Sequence, residues 1–260
     1  MILINIVQKR KIKMDSDKLG EIEMTISTID QSQRKAARVV GFTYLLTFAI
    51  VVFVNFGIHG RLIVSGNVAE TAQNIVASEQ LWRIGIALDL IYSVGIVALL
   101  LALYAILKPV NQNLALLAAF LRLVYALTWV LVTLNLFDVL RVLSGADYLQ
   151  AFEADQLQAF MRLALDASSD MYYVGLIFWA LASTVCSYLL FKSRSIPSGL
   201  AAFGAISSAW CALCTFAFIL SPNFAKIVDL WWFDTPMVIF EIATGLWFLV
   251  KGLNPPGVAG

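Results

Sequence analysis

The chain has 260 residues, of which 60% are hydrophobic and 13% are charged, with a formal net charge of +1. Soluble domains carry about twice that share of charged residues, so this composition excludes a water-soluble globular domain. The near-zero net charge also argues against nucleic-acid binding, which requires a basic patch. The sequence therefore predicts a membrane protein whose main partner is the lipid bilayer.

Long apolar runs recur along the chain, and each is suited to cross the hydrocarbon layer as a helix. Six spans are predicted, over 39–56, 84–107, 114–140, 171–191, 200–220 and 236–250. Their continuous apolarity does not fit the alternating pattern of a membrane β-barrel. The predicted fold is an all-α, polytopic bundle of six transmembrane helices.

Basic residues lie before the first span and in alternate connections, which places these segments on the cytoplasmic side. We therefore predict a multi-pass protein of the cell (plasma) membrane with both termini cytoplasmic. The opposite, outer connections are rich in acids. The cytoplasmic basic residues are Lys9, Arg10, Lys11, Lys13, Lys18, Arg34, Lys35, Arg38, Lys108, Lys192, Arg194 and Lys251.

Three parts of the chain are distinguished by composition. Residues 1–35 are polar and mixed in charge, which predicts a disordered cytoplasmic tail. The segment that begins at Met24 would make a compact N-terminus, so we expect translation to begin at Met24. Residues 36–253 form the predicted six-helix transmembrane domain, and 254–260 form a short C-terminal tail.

The two longest outer segments predict short helices. Asn67 is suited to cap a helix that runs to about Ser78. In 149–165, Leu149, Phe152, Phe160 and Leu163 share one helical face, which predicts an interfacial helix lying over the bundle. A lid over an outward-facing pocket is the alternative for that segment.

Tryptophans fall into two groups along the chain. Trp82, Trp231 and Trp232 are predicted at the outer boundary, as in an aromatic belt. Trp129, Trp179 and Trp210 fall near the middle of their spans and are predicted to pack inside the bundle.

Cysteine and histidine usage gives no sign of a metal site or a cofactor. Cys186, Cys211 and Cys214 all lie inside predicted spans, and the C-x-x-C pair merely shares a helical face. His59, the only histidine, lies outside the predicted spans. We expect these cysteines to be small core residues.

Ionisable residues inside three spans predict a polar centre. Asp89 lies roughly 10 Å along its helix from Trp82, with Tyr92 and Ser93 on the same face. Arg122 lies roughly 20 Å along a helix from Pro109, which is mid-membrane. Glu241 is predicted at a similar depth.

These groups are predicted to pair because an unpaired charge at the centre of a span costs roughly 2.5 to 3.5 kcal/mol. Arg122 should pair with Glu241, and Asp89 should be bonded by Tyr92, Ser93 or a cationic neighbour. The candidate binding residues are Asp89, Tyr92, Arg122, Tyr125, Trp129 and Glu241, with Arg83, Asp138, Arg141 and Asp170 as an outer extension.

Two alternatives to a binding site stay open at this point. A buried ion pair between Arg122 and Glu241 can simply fix the register of two helices. The charged side chains can also reach the membrane surface individually, without forming a network.

Three stretches of the chain are distinctive when taken together: "TAQNIVASEQLWRIGIALDL", "LKPVNQNLALLAAFLRLV" and "EIATGLWFLVKG". They resemble the bacterial multi-pass membrane proteins grouped as domain-of-unknown-function family 4386, and the resemblance covers about 36–253. The family label names no activity, so the resemblance implies the architecture alone. Ala167 and Ala182 stand where relatives often have histidine, so a relay or metal site built on such histidines is absent here. The matching positions are Thr71, Asn74, Ser78, Glu79, Arg83, Asp89, Pro109, Asn111, Arg122, Glu241, Trp247 and Gly252.

The favoured function is binding or translocation of a small molecule or lipid through a cavity above Arg122 and Glu241, because arginine suits carboxylate or phosphate headgroups. The chain shows no inverted repeat and no pair of broken helices, which disfavours an ordinary secondary transporter.

Two further functions remain as alternatives. One is a non-catalytic partner or sensor subunit that docks through 149–165. The other is an intramembrane enzyme with Asp89 or Glu241 as general base, or less favourably Asp170. The chain has none of the common hydrolase or phosphate-binding motifs, so catalysis is disfavoured.

Overall fold

A computed structural model describes residues 31–221, 223–224, 227–228 and 230–254. Within these ranges the chain forms helices and no strand, which confirms the all-α prediction. A π-helical turn, Phe53–His59, interrupts the first helix, and a 3₁₀ turn, Asp147–Ala151, precedes the fifth. The helices are α1 (Gln31–Leu62), α2 (Val68–Ala77), α3 (Glu79–Leu107), α4 (Gln112–Leu143), α5 (Ala154–Ser193), α6 (Ser198–Leu220) and α7 (Leu230–Val250).

Six of these helices, all except α2, are long and apolar enough to span a membrane. Their outward faces carry large apolar side chains such as Phe42, Leu101 and Ile206, whereas Asp89 and Arg122 are buried. This distribution is the reverse of that in a soluble protein, and it suits a bundle surrounded by lipid. The predicted six-span membrane architecture is confirmed.

The spanning helices form a ring in chain order. Each of the neighbouring pairs α3/α4, α4/α5, α5/α6 and α6/α7 packs together. Helix α1 closes the ring, because Ile58 packs on Gly85 of α3 and Gly41 packs on Gly245 and Leu249 of α7. We call the end with Lys108, Arg194 and Lys251 the basic end, and the end with Glu70, Glu79, Asp147 and Glu153 the acidic end.

Local capping explains where several helices begin. Asn67 Oδ1 accepts a hydrogen bond from the Glu70 amide at 3.1 Å, so the predicted cap of α2 is confirmed. Asn111 Oδ1 accepts one from the Leu114 amide at 3.0 Å at the start of α4. Glu153 begins α5 through a capping box with Gln156.

The prediction of a separate interfacial helix over 149–165 is wrong. The residues from Ala154 onward form the first part of α5, a continuous helix of 40 residues. No glycine or proline lies between 154 and 174, so nothing in this stretch ends the helix. Leu149 lies instead in the 3₁₀ turn, and α2 is the short non-spanning helix at the acidic end.

Other sequence predictions have mixed outcomes. Residues 31–35, predicted to be part of a disordered tail, are helical and belong to α1. Residues 1–30, including Met24, and 255–260 lie outside the described residues. Trp82 does not face a membrane interface; it is buried and its indole N–H donates to the Leu136 carbonyl at 3.2 Å. Trp129 and Trp179 are buried as predicted, but Trp210 is 49% exposed on the outside of the bundle.

A methyl group at Gly41 should separate α1 from α7. A Cβ built on Gly41 lies 2.7 Å from the Gly245 carbonyl oxygen, so Gly41→Ala requires the two backbones to move apart. We expect a loss of about 1 to 3 kcal/mol in the free energy of unfolding, as for other overpacked contacts. Thermal unfolding in detergent checks this, with Gly199→Ala as control because a Cβ there meets nothing within 4 Å. Equal melting of the two variants would contradict the close contact.

Candidate functional site

A cavity of about 740 Å³ lies inside the bundle, nearer the acidic end. Helices α1, α3, α4, α5 and α7 and the segment 60–68 form its walls. It extends from Asp166 and Ser169 at the rim to Tyr44 and Glu241 at the base. A volume in this range is typical of small-molecule sites.

The cavity exists because α1 and α7 diverge toward the acidic end. Near the basic end the two helices touch, with Gly245 close to Gly41, Tyr44 and Leu45. Farther along the same face of α1, residues at alternating steps of four and three line the cavity rather than contact α7. They are Phe48, Val52, Asn55 and His59. On α7, the residues that line the cavity are Ile242, Glu241, Val238 and Asp234.

The gap between these two helices reaches the outer surface of the bundle. Phe48, Val52 and Phe56 line the cavity and are also 39%, 38% and 58% exposed. Their partners across the gap include Val238 and Ile242. We call this gap between α1 and α7, bordered by these five residues, the lateral opening. Its apolar border matches the hydrocarbon that surrounds a spanning bundle.

Glu241 lies at the base of the cavity, and Arg122 lies behind it. Glu241 Oε1 accepts hydrogen bonds from Trp179 Nε1 at 2.9 Å and Ser183 Oγ at 3.2 Å, and Arg122 Nη2 lies 3.5 Å away. Arg122 Nη2 also donates to Ser183 Oγ at 2.9 Å and to Tyr44 Oη at 3.2 Å. The predicted pairing of Arg122 with Glu241 is therefore present, with Ser183 bridging the two.

The cavity does not reach the guanidinium group. Arg122 is 1% exposed and is not a lining residue, whereas Glu241 lines the cavity and is 14% exposed. The sequence predicted a cavity above Arg122 and Glu241. The observed cavity reaches Glu241 but not Arg122. At the base, the hydroxyl of Tyr44 and the carboxylate of Glu241, both bonded to the guanidinium, belong to residues that line the cavity.

Asp89 lines the cavity without the bonds predicted for it. The side chain is 2% exposed and its Oδ2 has no hydrogen-bond partner among the described residues. Tyr92 does not reach back to it, because its hydroxyl bonds the Tyr125 hydroxyl on α4 at 2.7 Å. Ser93 Oγ is likewise without a partner in the described structure. Asp89 is therefore a buried carboxylate that the described residues leave without a partner.

Aromatic rings form much of the wall between Asp89 and Glu241. The Tyr92 and Trp129 ring centroids lie 4.6 Å apart, and Trp129 meets Tyr172 edge-on at 6.2 Å. Tyr125 stacks on Trp179 with centroids 5.8 Å apart. All five residues line the cavity. Their faces and hydroxyls provide an apolar surface with polar tips.

Sequence reasoning missed several lining residues. Asp234 Oδ2 accepts a hydrogen bond from the Tyr172 hydroxyl at 3.2 Å, while its Oδ1 has no partner in the described structure. In the sequence, Asp234 was marked only as an acidic residue two positions before Pro236, which lies inside α7. Tyr44, Ser183 and His59 join the site only through tertiary packing. The π-helical turn of α1 also gave no recognisable signal, although such turns are frequent at functional sites.

The four residues predicted to extend the network outward are not part of the cavity. Arg83 pairs with Glu79 and Arg141 pairs with Asp138 on exposed surfaces. Asp170 is exposed and is not a lining residue. Each is turned away from the cavity by its position on its helix, which depth along the sequence does not reveal.

A comparison with family models identifies the chain. The model described as "Domain of unknown function (DUF4386)" matches residues 39–252. The chain belongs to the DUF4386 family. No curated protein and no solved structure matches it.

The residues that carried the family resemblance now separate into two groups. Asn111 caps α4, Thr71 Oγ1 accepts from the Val64 amide at 2.9 Å, and Gly252 takes a positive φ of 73° after α7. Asp89 and Glu241, in contrast, line the cavity of this DUF4386 protein. Among the described residues, no three His, Cys, Asp or Glu side chains are grouped as metal ligands.

Proposed function

We propose that this DUF4386 protein binds or translocates a small molecule or lipid in the cavity between α1, α3, α4, α5 and α7. The observation that carries the proposal is a cavity of about 740 Å³ whose wall includes Asp89, Asp234 and Glu241. Ionisable residues within spanning segments are costly, and they commonly mark pathways for substrates or ions.

A role confined to helix register accounts for only part of this arrangement. The Arg122–Glu241 contact and its bridge through Ser183 can hold α4, α5 and α7 together. Asp89 makes no comparable contact, because its Oδ2 has no partner in the described structure. A carboxylate that holds no helices together and points into a cavity supports a binding role.

The orientation in the membrane forms part of the proposal. Arg34, Lys35 and Arg38 lie at the start of α1, at the basic end of the bundle. The bias of lysine and arginine favours a cytoplasmic basic end in the plasma membrane. The cavity would then open on the opposite side. Fusions of a fluorescent protein and of alkaline phosphatase to the C-terminus test this, since the first should be active and the second inactive.

Ligand retention tests the proposed binding function. The full chain is purified in discs of its native lipid, and mass spectra record the small molecules and lipids that remain bound. The wild type is compared with Arg122→Leu combined with Glu241→Leu, and with Asp155→Asn as control, because Asp155 is exposed and outside the cavity.

The proposal predicts a specific molecule that remains with the wild type and the control and is lost from the double variant. An identical lipid profile in all three proteins, together with a double variant as stable as wild type, would contradict it. The search would then move to a partner that docks at the acidic end.

A further inference from the structure

Among the described residues that line the cavity, the acids without an ion-pair partner are Asp89 and Asp234. Arg122 is held behind Glu241, and Arg162 at the rim pairs with Asp166 at 3.2 Å with both side chains more than half exposed. No salt bridge among the described residues involves Asp89 or Asp234. An anionic headgroup would meet these carboxylates without meeting a free guanidinium. The cavity therefore disfavours the carboxylate and phosphate ligands that Arg122 suggested in the sequence.

A cationic donor fits the atom that the bundle leaves unpartnered. Asp89 is 98% buried and lines the cavity, and its Oδ2 lacks a hydrogen bond in the described structure. A buried carboxylate is strongly stabilised by an ammonium group at hydrogen-bond distance. Tyr92, one helical turn from Asp89, and Trp129 also line the cavity and present aromatic faces to it. Such faces attract organic cations.

The lateral opening suits an apolar tail. Phe48, Val52, Phe56, Val238 and Ile242 border it, and none of them carries a polar side-chain group. A ligand with its charged end at Asp89 and its chain between α1 and α7 would leave hydrocarbon in contact with hydrocarbon. A fully hydrophilic cation would instead expose this apolar border to water or lipid without covering it.

We propose that the cavity takes an organic cation with an alkyl chain, which enters from the membrane through the lateral opening and places its ammonium group at Asp89. This inference rests on the proposed function and specifies the ligand class for the same cavity. In this arrangement the ammonium lies near Tyr92, one helical turn from Asp89, and Trp129 and Asp234 also line the cavity.

Three probes test the two parts of this inference. Dodecylammonium carries the predicted N–H donors, charge and chain, dodecyl sulfate has the same chain with the opposite charge, and methylammonium has the donors and charge alone. Each is titrated against the full chain in lipid discs, and native mass spectra give the occupancy. Asp89→Asn removes the charge with little change of shape, and Asp155→Asn removes an exposed acid outside the cavity.

We expect saturable binding of one dodecylammonium per chain, with dodecyl sulfate and methylammonium each at least tenfold weaker. Asp89→Asn should weaken the first probe by about tenfold, since a hydrogen bond to a charged group is lost. Asp155→Asn should leave it unchanged. Melting temperatures of both variants report whether each is folded.

The outcomes separate this inference from the proposed function. Equal binding of dodecyl sulfate, or an unaffected Asp89→Asn, overturns the cationic ligand but leaves the cavity as a binding site. Equal binding of methylammonium overturns the alkyl chain. Absence of saturable binding by every probe overturns the inference, and the retained-ligand spectra of the wild type then decide the proposed function separately.

Discussion

Arg122→Leu is expected to lower the free energy of unfolding by about 3 to 5 kcal/mol, because it leaves a buried carboxylate without its cation. Glu241 would keep only the hydrogen bonds from Trp179 and Ser183. Tyr44 and Ser183 would each also lose a donor. The change is measured by denaturant or thermal unfolding of the purified protein in detergent.

A double-mutant cycle isolates the Arg122–Glu241 interaction from the other contacts of each residue. Glu241→Leu alone should also destabilise strongly, and the double variant should be more stable than either single variant. Arg83→Leu is the matched control, because Arg83 is half exposed and pairs with Glu79 on the surface. Additive losses in the cycle would show that the two charges are not coupled and would contradict the observed bridge through Ser183.

Asp89→Leu is expected to raise the free energy of unfolding by about 1 to 3 kcal/mol while abolishing ligand binding. The reason for the gain is that Asp89 Oδ2 has no partner among the described residues, so its burial is a cost that the bundle does not offset. Binding sites are often less stable than the same fold without them. Unfolding in detergent without added ligand checks the first effect, and retained-ligand mass spectra check the second.

The control for this prediction is Thr133→Val, a nearly isosteric change at another buried polar position in a spanning helix. Thr133 Oγ1 donates to the Trp129 carbonyl at 2.8 Å, so its loss should not stabilise. A destabilised Asp89→Leu would mean that the carboxylate has a structural partner, and it would contradict the reading of Asp89 as a ligand-binding group.

The fold was largely predictable because the membrane constrains it so strongly. Length and apolarity alone located all six spanning helices, and Asn67 marked the start of α2 correctly. One failure was at the acidic end. An amphipathic face in 149–165 predicted a separate interfacial helix, yet the same pattern arises where a long spanning helix continues to the rim of the cavity.

The site was predictable in its residues more than in its geometry. Counting residues along each span placed Arg122 and Glu241 at a similar depth in the membrane, and the two side chains are paired in the structure. Helical spacing put Tyr92 beside Asp89, but it could not show that the Tyr92 hydroxyl turns to Tyr125 instead. Which of two neighbouring polar groups a side chain bonds depends on how α3 and α4 pack, and this information is distributed over many apolar contacts.

The divergence of α1 and α7 was invisible in the sequence for a similar reason. Gly41 and Gly245 read as ordinary small residues in spans, and only their contact shows that the ring closes near the basic end. The cavity follows from that closure, because the same faces of both helices separate toward the acidic end. The role of Arg122 as a support behind Glu241 could not be distinguished from a role as a ligand anchor.

A density map of the protein purified with its own lipid would show whether the cavity is occupied from the membrane. We expect non-protein density that continues from the gap between Val52 and Val238 to the carboxylate of Asp89. A map in which α1 and α7 touch along their whole length, with no space between Asp89 and Glu241, would contradict this expectation.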